Sequence, residues 1–295
     1  MAQETTTSDD WREAGEAWGD RATDWAYLWE PYARSANRAV FDQLAVADGT
    51  RLLDIACGSG FAAHLASERG AAVSGIDASE GLVTIARART PKGDFRVGDM
   101  FALPFIDASF DAATSFNGIW KGCEAALLEA RRVLAPGGRL GLTFWGQFEH
   151  LGLLPYFVKV IELSEASHAA ANVEHGDTQN VIEAMLTATG FERLERGTVT
   201  VVNEWPDTEI AVRALVAAGP SVPAIRAVGL DDFCDALRSV IEPMQVPGIG
   251  IRITTSSTGS RLALDSPLGR PRGRFMHRAP RSTLLAISVT RVTRP

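Results

Sequence analysis

Between residues 50 and 146 the chain alternates short apolar runs with longer stretches whose apolar positions recur three and four apart. The first pattern predicts buried strands, the second amphipathic helices. Strands are expected at Leu52–Ile55, Ala72–Ile76, Asp94–Val97, Phe110–Phe116 and Leu140–Phe144. Helices are expected at Phe61–Glu68, ended by Gly70, at Glu80–Arg89, stopped at "TPKG", and at Cys123–Leu134, closed by "APGG". Such repetition marks a parallel sheet covered by helices. Ahead of it, residues 11–45 read as helical. Trp11, Trp18 and Trp25 are seven apart and Trp29 lies four further on, which places them on one helical stripe. Pro31 interrupts that helix, and "SANRAVFDQL" resumes it.

After Trp145 the rhythm changes. Residues 147–175 hold an apolar helix, "LLPYFVKVIELS", and then a polar stretch, an insertion rather than another strand–helix unit. A helix over Thr178–Thr189, capped by Asp177 and stopped at Gly190, leads to a strand near Arg196–Val202. Helices around 208–218 and 230–242 follow. The last 45 residues are rich in Ser, Thr, Arg, Gly and Pro, and are expected to pack poorly. "TLLAISVTRV" (283–292) and "GIGIRIT" (248–254) compete there for one late strand. The organisation expected is a helical cap over 1–45, a main domain over 46–250 and a tail over 251–295. The main domain has its ligand-binding core at 50–146 and its substrate side at 147–175.

Composition narrows the function classes. With 46% hydrophobic and 22% charged residues in 295, the chain reads as an ordinary globular protein. Its net charge of −7 is uneven: residues 251–295 carry +8 and the remainder −15. An acidic body argues against a duplex-binding enzyme, whose affinity rests on neutralising phosphates, so no nucleic-acid partner is expected. No apolar run approaches the ~18 residues of a membrane span. The polar start is not a secretory signal, and Cys57, Cys123 and Cys234 read as reduced thiols, which points to a cytoplasmic protein. No cysteine or histidine spacing suggests a metal.

The chemistry concentrates in "LLDIACGSG", residues 52–60. Read as Gly58-x-Gly60-x-x-Ala63 it fits a relaxed dinucleotide fingerprint, and Asp77 suits a pair of ribose hydroxyls. Asp54, however, stands just ahead of the turn, where a negative charge repels a pyrophosphate and favours an ammonium or a sulfonium. No Lys or Arg lies in the turn.

Taken with "GIDAS", "VGDMFALPF", "SFDAATSFNGIW" and "ARRVLAPGGRLGLTFWG", this stretch resembles the class I S-adenosylmethionine-dependent methyltransferases. The likeness is to the small-molecule branch (methyltransferase type 11) that includes the ubiquinone and menaquinone C-methyltransferases, and it covers residues 50–146. It implies a Rossmann-like α/β fold, a seven-stranded and mostly parallel sheet whose last strand is antiparallel. A helical cap would precede that sheet, and a helical insertion would follow its fifth strand. It implies S-adenosylmethionine as cofactor, with Asp54 and the turn Ala56, Cys57, Gly58, Ser59 and Gly60 around the methionine moiety. Asp77 would take the ribose, Ala78, Asp99 and Met100 the adenine, and Phe116 and Asn117 would lie near the reacting methyl. Gly137, Gly138 and Asp111 are structural in this reading.

The expected reaction is in-line methyl transfer to O, N or C of a small, largely apolar acceptor. Alternatives are an NAD(P)-dependent oxidoreductase or an S-adenosylmethionine-binding module without turnover. No catalytic residue is fixed by sequence. Candidate bases are His150 and Tyr27, with His168, His175 and Tyr156 behind them. Cys57 lacks a neighbouring base and reads as a small turn residue rather than a nucleophile. Trp18, Trp25 and Tyr27 are candidates to touch cofactor or substrate. Trp120, Trp145, Phe148 and Leu151–Phe157 suggest an apolar acceptor cavity.

Overall fold

A computed structural model of the chain describes residues 10–145, 151–164, 178–255 and 284–292. Its helices are α1 (Asp10–Gly19), α2 (Arg34–Leu44), α3 (Phe61–Ser67), α4 (Glu80–Arg89) and α5 (Glu124–Val133), then α6 (Leu154–Leu163) and α7 (Thr178–Ala188). Three more follow: α8 (Thr208–Val216), α9 (Ser221–Val228) and α10 (Leu230–Ile241). The expected alternation yields β1 (Arg51–Ile55), β2 (Ala72–Asp77), β3 (Asp94–Val97), β4 (Phe110–Phe116) and β5 (Leu134–Trp145). They are parallel, in the order β3-β2-β1-β4-β5.

The two-residue period of the strands divides the core. Leu52 and Ala112 pack with Val40, Phe41 and Leu44 of α2 and with α3 and α4, whereas Leu53, Ile55 and Ala113 pack with α5 and α7. β5 begins six residues earlier than the sequence suggests, because Leu134 already pairs with Phe110. A register shift then absorbs Pro136, Gly137 and Gly138 before Ala112 meets Arg139.

The far edge departs from a seven-stranded sheet. Four further strands, β6 (Phe191–Trp205), β7 (Gln245–Val246), β8 (Gly250–Thr255) and β9 (Leu284–Val292), bring the total among the described residues to nine, in the order β3-β2-β1-β4-β5-β9-β6-β8-β7. β9 is antiparallel to both β5 and β6. The two segments read as competitors are both strands, and the length of β6 explains why. Phe191–Thr200 pairs with β9, and Val201–Trp205 is left to pair with β8. Both ends of the tail therefore join the sheet, and Ile251, Ile253 and Thr290 are buried. Residues 256–283 lie outside the described residues.

The N-terminal segment is not one helix. α1 stops at Gly19, and a single turn at Ala22–Asp24 passes into a π-helical turn at Trp25–Trp29 and a 3-10 turn at Glu30–Ala33. Pro31 sits at the start of that last turn, where its missing N–H costs nothing. We call Ala22–Ala33 the strap. The breaks destroy the single helical stripe, yet the tryptophans still meet: Trp18 and Trp25 pack edge-on at 4.7 Å, and Trp25 stacks on Trp29 at 5.4 Å.

α6, α8, α9 and α10 form a helical lobe whose core holds Tyr156, Trp205, Leu215, Phe233 and Leu237, with Trp29 of the strap built into it. α9 escapes the sequence reading because Pro220 stands at its N-cap and Pro223 in its first turn, where a backbone N–H has no partner within the helix. Among the described residues no single helix is long and apolar enough to cross a membrane.

Candidate active site

β1 delivers Asp54 to the carboxyl edge of the sheet, and the chain then turns through Ala56, Gly58 and Gly60 with φ of 55°, 54° and 69°. Gly58 and Gly60 have no room for a side chain. A Cβ on Gly60 would stand 2.7 Å from the Ala86 methyl, and one on Gly58 would stand 2.5 Å from Glu30 Oε1. Asp77, at the end of β2, ties this turn to the next. Its Oδ2 accepts the Gly58 N–H at 2.8 Å and its Oδ1 the Ser79 N–H at 2.9 Å.

Glu30, from the strap, closes over the same turn. Its Oε1 accepts the Ser59 N–H at 2.9 Å and the Trp25 indole N–H at 3.0 Å; its Oε2 accepts the Ser59 hydroxyl and faces Arg89 at 3.2 Å. Arg89, from the last turn of α4, also donates to the Ser59 carbonyl at 3.0 Å and to the Ala26 carbonyl at 3.3 Å. Arg89 thus joins helix, turn and strap. The two side chains are only 11% and 14% exposed.

Asp54 is 1% exposed. Its Oδ1 accepts the Thr114 hydroxyl at 2.7 Å, and its Oδ2 is buried with no partner. Burial, with the neighbouring Glu30 and Asp77 charges, pushes its carboxyl up to about 7 against the stabilising Thr114 bond. Burial likewise raises Glu30 and Asp77 above the usual carboxylate range, despite the hydrogen bonds each accepts. Buried Asp54 and the partly buried Asp77 and Glu30 thus gather at one glycine turn, with the Arg89 guanidinium paired to Glu30. Such a site resists ionisation unless a cation enters. Among the described residues no group of His, Cys, Asp and Glu side chains is placed to hold a metal ion.

The other residues singled out from sequence fall as follows. The Cys57 Sγ points toward Gly75, where a Cβ would stand 2.9 Å from it, and the Cys57 N–H donates to the Ile76 carbonyl. Burial, with the charges of Asp77, Asp54 and Glu30, raises its thiol well above the ordinary range. α1 lies directly over Ala78 and Ser79. Asp99 Oδ1 accepts the Phe101 N–H at 2.8 Å, and half-buried Met100 packs against the core. Phe116 meets Phe41 edge-on at 5.7 Å. Asn117 takes a left-handed φ of 59° and bonds Thr143 through its N–H and its side chain. Asp111 binds the Arg51 side chain and backbone, as its structural reading requires.

Two candidate bases lie among the described residues. Tyr27 is 63% exposed and its ring lies under the Arg89 guanidinium. Tyr156 is buried in the lobe against Ser221 Oγ, at 2.8 Å, and burial raises its hydroxyl further. His150, His168, His175, Phe148 and the cap residue Asp177 lie outside the described residues. Of the tryptophans, Trp25 reaches the turn through Glu30, while Trp18 packs against Gly219. Sequence reasoning missed Glu30 and Arg89. The available signal was a lone acid in an apolar stretch, "YLWEP", beside a helix-breaking proline.

The family described as "Methyltransferase domain" matches residues 53–142. The demethylmenaquinone methyltransferase of Renibacterium salmoninarum is 37% identical over 142 residues, 47% of this chain and 59% of that protein. That of Beutenbergia cavernae is 31% identical over 187 residues, 61% of this chain and 69% of that protein. Among solved structures the cyclase SpnF superposes with a TM-score of 0.55 at 19% identity, over 97% of this chain and 94% of that one, a likeness of fold. The motif-bearing strands, the glycine turn and these relatives agree: the chain belongs to the S-adenosylmethionine-dependent methyltransferase family.

Proposed function

We propose that the protein transfers the methyl group of S-adenosylmethionine to a small, largely apolar acceptor, and more finely to a carbon of a quinone-type ring. The observation that carries the cofactor reading is the partnerless, buried Asp54 Oδ2 in a crescent of three carboxylates balanced by Arg89. A pyrophosphate there would add negative charge to negative charge, whereas an ammonium and a sulfonium relieve it. Asp54 and the backbone of Ala56, Gly58 and Gly60 are assigned to the methionine end, Asp77 to the ribose, and Ala78, Asp99 and Met100 to the adenine. Phe116 and Asn117 would border the reacting centre. When bound, the cofactor supplies an electrophilic methyl on a positively charged sulfur. The protein's part is to align and desolvate, and alignment alone contributes about 7–11 kcal/mol in well-oriented reactions. Trp25, Tyr32, Trp145 and Phe157 pack around the lobe's core and suit an apolar ring. The names of the curated relatives support a quinone-type acceptor.

The test is mass spectrometry of isoprenoid hydroquinones incubated with protein and isotopically labelled methyl donor. A product heavier by one labelled methyl is expected. No labelled product from these or from a broad set of small apolar acceptors overturns the transfer reading. Calorimetry checks the cofactor separately. Asp77→Ala is expected to weaken S-adenosylmethionine binding by about 1.5–3 kcal/mol, the range for hydrogen bonds to a charged group. Unchanged affinity contradicts the ribose assignment. Adding protein to NADH is expected to leave the nicotinamide emission unaltered.

A pH dependence follows from Asp54. Its carboxyl titrates at about 7 in the folded protein against an ordinary 3.8, so the folded state holds the proton more tightly than the unfolded one. The stability associated with this group is complete below pH 4 and is lost as pH rises through 7. A cationic ligand favours the ionised form, which reverses the sign for binding. S-adenosylmethionine affinity is therefore expected to tighten between pH 6 and 7.5, and Asp54→Asn to flatten that slope, measured by calorimetry at each pH.

A further inference from the structure

We infer that Glu30 is a charge-reading residue, through which the strap distinguishes the sulfonium form of the cofactor from the neutral thioether left after methyl transfer. The inference rests on the cofactor reading above and assigns a role outside the motif-bearing strands.

Glu30 is the member of the carboxylate crescent carried by the strap, whereas Asp54 and Asp77 are fixed to β1 and β2. Its two oxygens meet four groups: the Ser59 N–H, the Ser59 hydroxyl, the Trp25 indole and the Arg89 guanidinium. A neutral amide of the same shape could keep most of these bonds, so hydrogen bonding alone does not call for a charge here. Arg89 balances one of the three carboxylates. Asp54 Oδ2 stands buried with no partner, which leaves a place for positive charge from outside the chain. Glu30 closes over the turn assigned above to the methionine end, its Oε1 2.5 Å from where a Gly58 Cβ would stand.

Methyl transfer changes the charge at this place. The S–CH3 bond breaks with its electron pair left on sulfur, a new bond joins the methyl carbon to the acceptor nucleophile, and the proton displaced from the acceptor passes to solvent. Sulfur goes from positive to neutral. The two carboxylates in excess of the single guanidinium then keep the ligand's ammonium but lose the sulfonium, and the unbalanced repulsion falls on the carboxylate held by the strap. Release of the strap after turnover is the consequence.

The experiment compares S-adenosylmethionine with S-adenosylhomocysteine by calorimetry on the full chain and on Glu30→Gln. The ratio of the two dissociation constants is expected to shift by about five- to tenfold toward the thioether in the variant, the size of a unit charge felt across several ångströms of partly buried protein. Trp25→Phe removes a donor from the same carboxylate without altering its charge, and is expected to leave the ratio within twofold. Hydrogen exchange of residues 22–33 in the unaltered protein gives a second reading. Stronger protection with the sulfonium than with the thioether is expected, and the difference should vanish in Glu30→Gln.

A ratio unmoved by Glu30→Gln overturns the inference, as does Trp25→Phe moving it equally. So does equal strap protection in the two complexes, a measurement that needs no variant to fold. Failure of the unaltered protein to bind either ligand would instead remove the cofactor reading itself.

Discussion

Arg89→Ala is expected to destabilise the fold by about 3 kcal/mol, the lower end of the cost of stripping one partner from a buried ion pair. The guanidinium serves three elements at once. It faces the Glu30 carboxylate, donates to the Ser59 and Ala26 carbonyls, and lies over the Tyr27 and Phe61 rings. Truncation leaves Glu30 charged among Asp54 and Asp77 with nothing opposite. That reasoning makes a second forecast. Glu30→Gln added to Arg89→Ala is expected to restore about 1–2 kcal/mol, because the orphaned charge goes with it. Urea unfolding of the two single variants and the double variant measures the coupling. A double variant no more stable than Arg89→Ala would mean that Arg89 acts through the two carbonyls, not through the carboxylate.

How much of this site the sequence discloses depends on the range of each interaction. Asp54, Gly58, Gly60 and Asp77 were legible because their geometry is local. A strand end, a tight turn and the next strand end are set by spacing, and Asp77 lies opposite Val97 and bonds Gly58 through that spacing alone. Glu30 was not legible, because the partners that bring it to the turn, Ser59 and Arg89, lie 29 and 59 residues away. No periodicity encodes such a contact. The strap also changes helix type twice within a few residues, and a reading based on 3.6-residue periodicity runs it as one helix as far as Pro31. At the far edge the difficulty was different. Both late strands were visible as apolar alternations, but the charged start of β6, "FERLER", concealed a strand long enough to take two antiparallel partners. The expected topology failed on the length of β6 and on β7, a two-residue strand too short to carry an alternation.

Trp205→Ala is expected to cost about 4 kcal/mol, within the range for removing a fully buried large aromatic. Trp205 is 1% exposed and ends β6 inside the lobe. Its indole N–H donates to the Leu28 carbonyl at 2.7 Å, and its ring meets Trp29 at 6.0 Å and Tyr32 at 5.5 Å. Those three partners belong to the strap, so the substitution combines two losses. It opens a cavity in the lobe, and it frees the strap from the anchor that aligns Glu30 with the turn. Trp205→Phe separates them. Most of the ring packing remains, and only the donor to Leu28 is lost, at a cost of about 1–1.5 kcal/mol. If the strap positions Glu30, then Trp205→Phe should also weaken S-adenosylmethionine binding by about threefold, without any contact to the ligand, through loss of strap docking. Thermal unfolding and calorimetry on the same preparations distinguish the outcomes. A stability loss with unaltered cofactor affinity would confine Trp205 to the lobe. A joint loss would place the lobe, the strap and the glycine turn in one cooperative unit.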